Sequence, residues 1–169
     1  MAEVSCSRVI RARPEEIWAV LADFGAAAGW ADGVDHCSLL RQTADPPGVG
    51  TARRVQVGRD TFIETITDFE VSRALAYDIA GLPPSVSANN RWTLLPDSPT
   101  STVVTLTSTV RASHGPLRRV GERVLVVFGR AARHCIGKGH DVGFQTAVSA
   151  IIDRMDLVAF FLLSYSLVS

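Results

Sequence analysis

Lysine is nearly missing from this 169-residue chain: Lys138 stands alone, and every other basic residue is an arginine. The bias follows genome composition before physics and carries little functional weight. Net charge is missing too. Seventeen basic and 17 acidic residues cancel, which leaves no overall field to draw the protein to nucleic acid or to an anionic membrane. Cysteine is scarce, and Cys6, Cys37 and Cys135 are odd in number without metal-type spacing. That argues against a disulfide framework and predicts a reducing compartment. No charged leader followed by an apolar stretch begins at Met1-Ala2-Glu3-Val4, which predicts a cytoplasmic protein. No uncharged run reaches the roughly 20 residues that cross a bilayer. Leu157 to Val168 spans 12 residues, so a buried helix end or a subunit contact, as in a homodimer, is expected there, with no integral span.

Catalytic signatures are absent as well. The chain holds no Gly-x-Ser-x-Gly, His-Glu-x-x-His or Cys-x-x-Cys, which disfavours a covalent nucleophile and a metal site at His134, Cys135, His140 and Asp141. Gly48-Val49-Gly50 fails as a dinucleotide fingerprint, because a strand follows it and Arg53 stands where the third glycine belongs.

What is present points to one domain, long enough to bury roughly two thirds of its unfolded surface. Val4 to Ala12 alternates as a strand, with Val4, Cys6, Arg8 and Ile10 on one side. Arg13-Pro14-Glu15-Glu16-Ile17-Trp18 opens a helix running toward Phe24. Pro14 suits the first helical position, where its missing N–H would be unpaired anyway, and Glu15 and Glu16 complement the positive helix end. Gly25 to Gly29 and Trp30-Ala31-Asp32-Gly33 predict a short second helix ending in a turn.

Six more strands follow: Val34 to Arg41, Thr51 to Gly58, Thr61 to Phe69, Ala74 to Ile79, Ser87 to Leu95 and Ser101 to Ala112. Turn clusters at Asp45-Pro46-Pro47-Gly48, Gly58-Arg59-Asp60, Gly81-Leu82-Pro83-Pro84 and Pro96-Asp97-Ser98-Pro99 separate them. With no helix between these strands, the pattern is an antiparallel meander. In the last strand Val104, Leu106 and Val110 share one face and Thr105, Thr107 and Thr109 the other, so the sheet has a dry side that needs a cover. Leu117, Val120, Val124, Val127, Phe128, Ala131 and Cys135 recur at helical spacing and would form that lid. The five arginines between 118 and 133 form a solvated face or, as the alternative, a contact for an anionic surface. Gly137, Gly139 and Gly143 interrupt the helical period before a second helical run from Phe144 through Val168.

Three groups of residues could carry chemistry. Glu64 alternates with Phe62 and Ile66, so if those apolar side chains face inward the carboxylate does too. A buried carboxylate needs an arginine or hydrogen-bond donors, or it becomes an acid or base suited to neutral pH. The alternative is a rim ion pair with Arg53 or Arg91. Asn90, Trp92 and Leu94 share one strand face, where an amide could hold a carbonyl or hydroxyl beside a flat apolar wall, or simply pack. His36 could move protons with Asp32 orienting it, or could be an exposed histidine without that duty.

The order strand, helix with Pro14-Glu15-Glu16-Ile17-Trp18, short helix with Trp30, six-strand meander and long C-terminal helical region resembles the START-like superfamily, also called SRPBCC, which includes the polyketide cyclase and dehydrase family. Matching motifs are Arg13 to Asp23, the Gly48-Val49-Gly50-Thr51-Ala52-Arg53 turn, and Glu64-Thr65-Ile66-Thr67-Asp68, with coverage from about Val4 to the mid-130s. The resemblance implies an α+β helix-grip fold: a seven-stranded curved antiparallel sheet around a long C-terminal helical region, with two short helices after the first strand. The whole chain, 1–169, would be one ligand-binding domain, with 144–169 an atypical apolar extension. Such proteins usually end in one uninterrupted helix, and Gly137-Lys138-Gly139-His140 departs from that. The resemblance further implies an apolar cavity lined by Trp30, Phe62, Glu64, Ile66, Asn90, Trp92, Leu94, Leu106, Val124 and Phe128, with Glu64 and His36 as the catalytic candidates.

Two functions fit these residues. One is a cyclase or dehydratase without metal or organic cofactor, which folds a flexible poly-carbonyl substrate while Glu64, with His36, moves protons and Asn90 polarises a carbonyl. The other is a non-catalytic carrier or sensor of a lipid or other hydrophobic ligand, closed over by loops such as Gly81 to Pro84. A membrane-associated subunit using the arginine-rich helix and apolar tail is a third reading.

Overall fold

The computed structural model describes residues 1–31 and 34–112. Its elements run β1 (Ala2–Ile10), α1 (Pro14–Ala22), a 3-10 turn (Ala27–Gly29), β2 (His36–Arg41), β3 (Ala52–Val57), β4 (Asp60–Glu70), β5 (Ala74–Ala80), β6 (Val86–Ser98) and β7 (Ser101–Ala112). All seven strands join one antiparallel sheet in the order β1-β7-β6-β5-β4-β3-β2. Six strands form the expected meander, and β1 adds to its far side against β7. The connection from β1 to β2 must therefore cross from one sheet edge to the other, and α1 and the 3-10 turn lie along it.

The α1 start follows the local chemistry. Arg13 is extended, Pro14 takes the first turn, and Glu16 Oε2 accepts a 2.8 Å hydrogen bond from the Arg13 backbone N–H. That bond holds the Glu16 carboxyl below its usual value. Ile17, Trp18 and Leu21 then point at the sheet and are buried. Trp18 meets Phe69 edge-on at 4.8 Å, a favoured aromatic geometry. Ile10, Leu75, Trp92, Leu94, Val104 and Leu106 complete the packed core beneath the helix.

Strand ends differ by a few residues from expectation. β1 spans Ala2–Ile10 and β2 begins at His36. The largest correction is at Pro96-Asp97-Ser98-Pro99: β6 runs on through Pro96 to Ser98, and the chain turns at Pro99-Thr100. Proline is tolerated in a ladder at a bulge, and the β6–β7 register shifts between Pro96 and Ser98.

Alternation separates the two sheet faces as read from β7. Val104, Leu106 and Ser108 are buried, while Ser5–Thr107 and Ser7–Thr105 hydroxyl pairs at 2.8 and 2.7 Å, and the Arg91–Asp68 ion pair at 2.6 Å, lie on the other face. Among the described residues no helix is long and apolar enough to cross a membrane. Asp32, Val124, Phe128, the helical lid, its glycine break, the arginine-rich face, the 144–169 extension and the apolar segment 157–168 lie outside the described residues.

Candidate functional site

Glu64 does face inward, and so does Arg53. They sit directly opposite each other in the β3–β4 ladder, with Glu64 8% and Arg53 6% exposed. The guanidinium Nε and Nη2 each lie 2.6 Å from Glu64 Oε2. Among the described residues nothing donates to the other oxygen, Oε1. The pair is therefore buried, not at the rim, and Arg91 is engaged elsewhere with Asp68 and Glu70.

Arg53 is held on all sides. Its Nη1 donates to the Phe24 carbonyl at 2.9 Å, and the Cys37 thiol donates to the same oxygen at 3.8 Å. Its Cζ stands 4.0 Å over the Phe24 ring and 5.3 Å from the Tyr77 ring, a cation–π arrangement worth most where water is excluded. Burial works against this charge. The Glu64 carboxylate, with smaller contributions from Tyr77 and Cys37, outweighs that penalty and leaves the Arg53 pKa above the ordinary arginine value.

A second buried polar chain crosses the next three strands. Ser108 Oγ donates to Asn90 Oδ1 at 2.7 Å, and Asn90 Nδ2 donates to the Tyr77 hydroxyl at 3.3 Å. Burial, then the Glu64 charge, pushes the Tyr77 hydroxyl pKa up; Arg53 and side-chain hydrogen bonds with Asn90 and Trp92 oppose this only in part. Tyr77 therefore keeps its proton, and no described residue accepts it. Phe24 and Tyr77 meet edge-on at 5.7 Å, which joins the two polar groups into one patch.

The expected lining residues divide around this patch. Phe62, Ile66, Trp92, Leu94 and Leu106 are all buried on the same face; Ile66, Trp92, Leu94 and Leu106 belong to the packed cluster that includes Trp18. Trp30 is half-buried, with its indole N–H shut off from solvent and unpartnered. His36 is not brought to Glu64. It pairs with Gln56, alternating with the inward Cys37–Val55 and Leu39–Arg53 pairs, and is exposed on the opposite face. Arg53, Tyr77 and Ser108 are the additions the sequence reading missed as site residues.

Among the described residues no cluster of three His, Cys, Asp or Glu could hold a metal ion. An open depression of about 470 Å3 at Thr65, Asp78, Asn89, Thr109 and Arg111 lies on the outer side, away from Glu64.

A family model described as polyketide cyclase / dehydrase and lipid transport matches residues 1–136. No curated protein matches the chain. Among solved structures, a protein from Thermobifida fusca aligns with a TM-score of 0.63 at 21% identity, over 78% of this chain and 85% of that one. A START superfamily protein from Mycobacterium smegmatis aligns at 0.58 and 18% identity, over 79% and 94%. The Zhui aromatase/cyclase from a Streptomyces species aligns at 0.62 and 18% identity, over 90% and 93%. At these identities the likeness is one of fold, the helix-grip or START-like arrangement.

Proposed function

Since the chain belongs to the polyketide cyclase / dehydrase and lipid transport family, we propose that it binds a hydrophobic, aromatic or polyketide-like small molecule on the inner face of its sheet and acts on it as a cofactor-independent cyclase or dehydratase. One observation carries the reading: two linked polar groups, Arg53–Glu64 and Tyr77–Asn90–Ser108, interrupt an otherwise apolar face. A buried ion pair is a poor way to gain stability, because desolvation offsets most of the attraction. Its retention among Phe62, Ile66 and Trp92 favours a task that needs charge in a dry place.

The chemistry that fits is an intramolecular aldol closure followed by loss of water. Apolar walls fold the substrate so that a carbon flanked by carbonyls meets a distant carbonyl. Glu64, through its unengaged Oε1, takes the proton from that carbon, and the carbanion forms the ring bond. The Tyr77 hydroxyl and the Asn90 amide face the developing oxyanion, where donors already in place are most effective. Protonated Glu64 passes that proton to the alkoxide, then takes the second proton from the same carbon; the C–O bond breaks as the C=C forms, and the departing hydroxide receives the proton back from Glu64 and leaves as water. His36, on the other face, takes no part.

A second reading, a carrier for a hydrophobic ligand, is favoured by Glu64 being committed to Arg53. Glu64→Gln separates the two. For the cyclase, turnover of a poly-carbonyl substrate falls by about 10²-fold or more, as for loss of a general base, while affinity changes only a few-fold. If wild type gives no turnover and the variant only loses a little affinity, the carrier stands and the cyclase falls.

A further inference from the structure

We infer that the molecule held on the inner face is an anion: an apolar carboxylate whose charged end pairs with Arg8. This rests on the small-molecule-binding reading above and names the chemistry of its ligand. Arg8 leaves β1 on the inner face, opposite Val104, which is 1% exposed and itself pairs with Leu94. The side chain is half-buried, and its Nε is fully shut off from solvent without a hydrogen-bond partner. No described carboxylate lies within ion-pair distance of it; Glu64, the acidic residue buried on that face, is already matched by Arg53.

The inner face of the described residues thus keeps one unmatched positive charge. Two further donors among the described residues lack an acceptor. The Trp30 indole N–H is buried without an acceptor, and the Tyr77 hydroxyl receives a hydrogen bond from Asn90 but gives none to a described residue. A half-buried guanidinium with no carboxylate beside it is complementary to an anion. A neutral ester or alcohol could accept from the shut-off Nε but would leave the charge of this half-buried guanidinium unmatched. A carboxylate matches the planar fork of an arginine and supplies a single negative charge, equal to the one left over, where a phosphate dianion would overshoot it.

The test uses the full-length protein at pH 7 and two fluorescent probes, anthracene-2-carboxylate and its uncharged methyl ester. Wild type is expected to bind the carboxylate roughly tenfold to a hundredfold more tightly than the ester, the range for hydrogen bonds to a charged group. Arg8→Met keeps the apolar stem, and should lower carboxylate affinity to that of the ester while leaving ester affinity unchanged. Its free form should melt no lower than wild type, because an unpaired cation has been removed from a partly buried place. Arg8→Lys should restore part of the preference, having charge without the fork. Equal affinities in wild type, a carboxylate preference that survives Arg8→Met, or an equal loss of both probes in that variant would each overturn the inference while leaving the binding reading in place. Failure of wild type to bind either probe would sink both.

Discussion

Arg53→Met asks whether the ion pair of the inner face exists for stability or for function. Two guanidinium nitrogens at 2.6 Å from one carboxylate oxygen, on residues 6% and 8% exposed, form a buried pair by any geometric standard. Taking away one partner strands the other charge, at a cost of about 3–5 kcal/mol. Against a total of about 5–15 kcal/mol for a domain, that is a large share. For a chain of this size each kcal/mol moves the melting temperature by about 2–4 °C, so a fall of roughly 6–20 °C is expected. The double variant Arg53→Met/Glu64→Leu removes both charges and fills the same space with carbon. It should return to within about 1–2 kcal/mol of wild type or exceed it, as buried pairs replaced by apolar residues do. Thermal and urea melts followed by circular dichroism on wild type, both single variants and the double variant measure this, and ligand binding or turnover on the same samples shows what was lost. The expected double variant is stable and inactive, a trade of function for stability. The reasoning is refuted if Arg53→Met costs under about 1 kcal/mol, as exposed pairs do, or if the double variant is no more stable than the singles.

Tyr77→Phe probes the second polar chain. Burial and then Glu64 keep this hydroxyl protonated to a higher pH in the folded protein than in the unfolded chain, where it titrates near pH 10. The unfolded chain releases the proton first, so the contribution to stability is complete below about pH 10 and is lost as pH rises through the folded value. Melts from pH 8 to 11.5 should show a shallower alkaline decline in the variant, and a decline unchanged from wild type would contradict the burial of that group. Gly81→Ala tests the turn beside Phe62: the glycine has φ +100°, and an added Cβ would meet the Thr61 carbonyl oxygen at 2.8 Å. A loss of about 1–3 kcal/mol in urea melts is expected, and a neutral result would show that the β5–β6 turn gives way freely.

Much of the fold could be read because its signals are local. The proline and paired glutamates announced α1, and period-two alternation marked β4, β6 and β7 together with the inward parity of Glu64 and Asn90. The alternation that sets Arg8 in step with Ile10 also sets Arg53 in step with Val55 and Ser108 with Leu106. Period-two parity alone marks polar residues in these positions as inward-facing. Tyr77 was not legible, since Ala74-Leu75-Ala76-Tyr77 is buried on both faces and shows no alternation. Nor was the side taken by His36, which is followed by Cys37, Ser38, Leu39 and Leu40 and a register shift between Leu39 and Arg41.

By itself the sequence determined which segments are strands, where the first helix begins, and which polar residues share a face with apolar ones, because these depend on neighbours one to four positions away. Only the tertiary structure decided who meets whom. Arg53 meets Glu64 through the β3–β4 register, Asn90 reaches Tyr77 and Ser108 across three strands, and the Phe24 carbonyl arrives from the crossover to cap the guanidinium. Those meetings depend on registers and on one long connection across the sheet, set by the burial of the whole apolar face, and no short window of residues contains them.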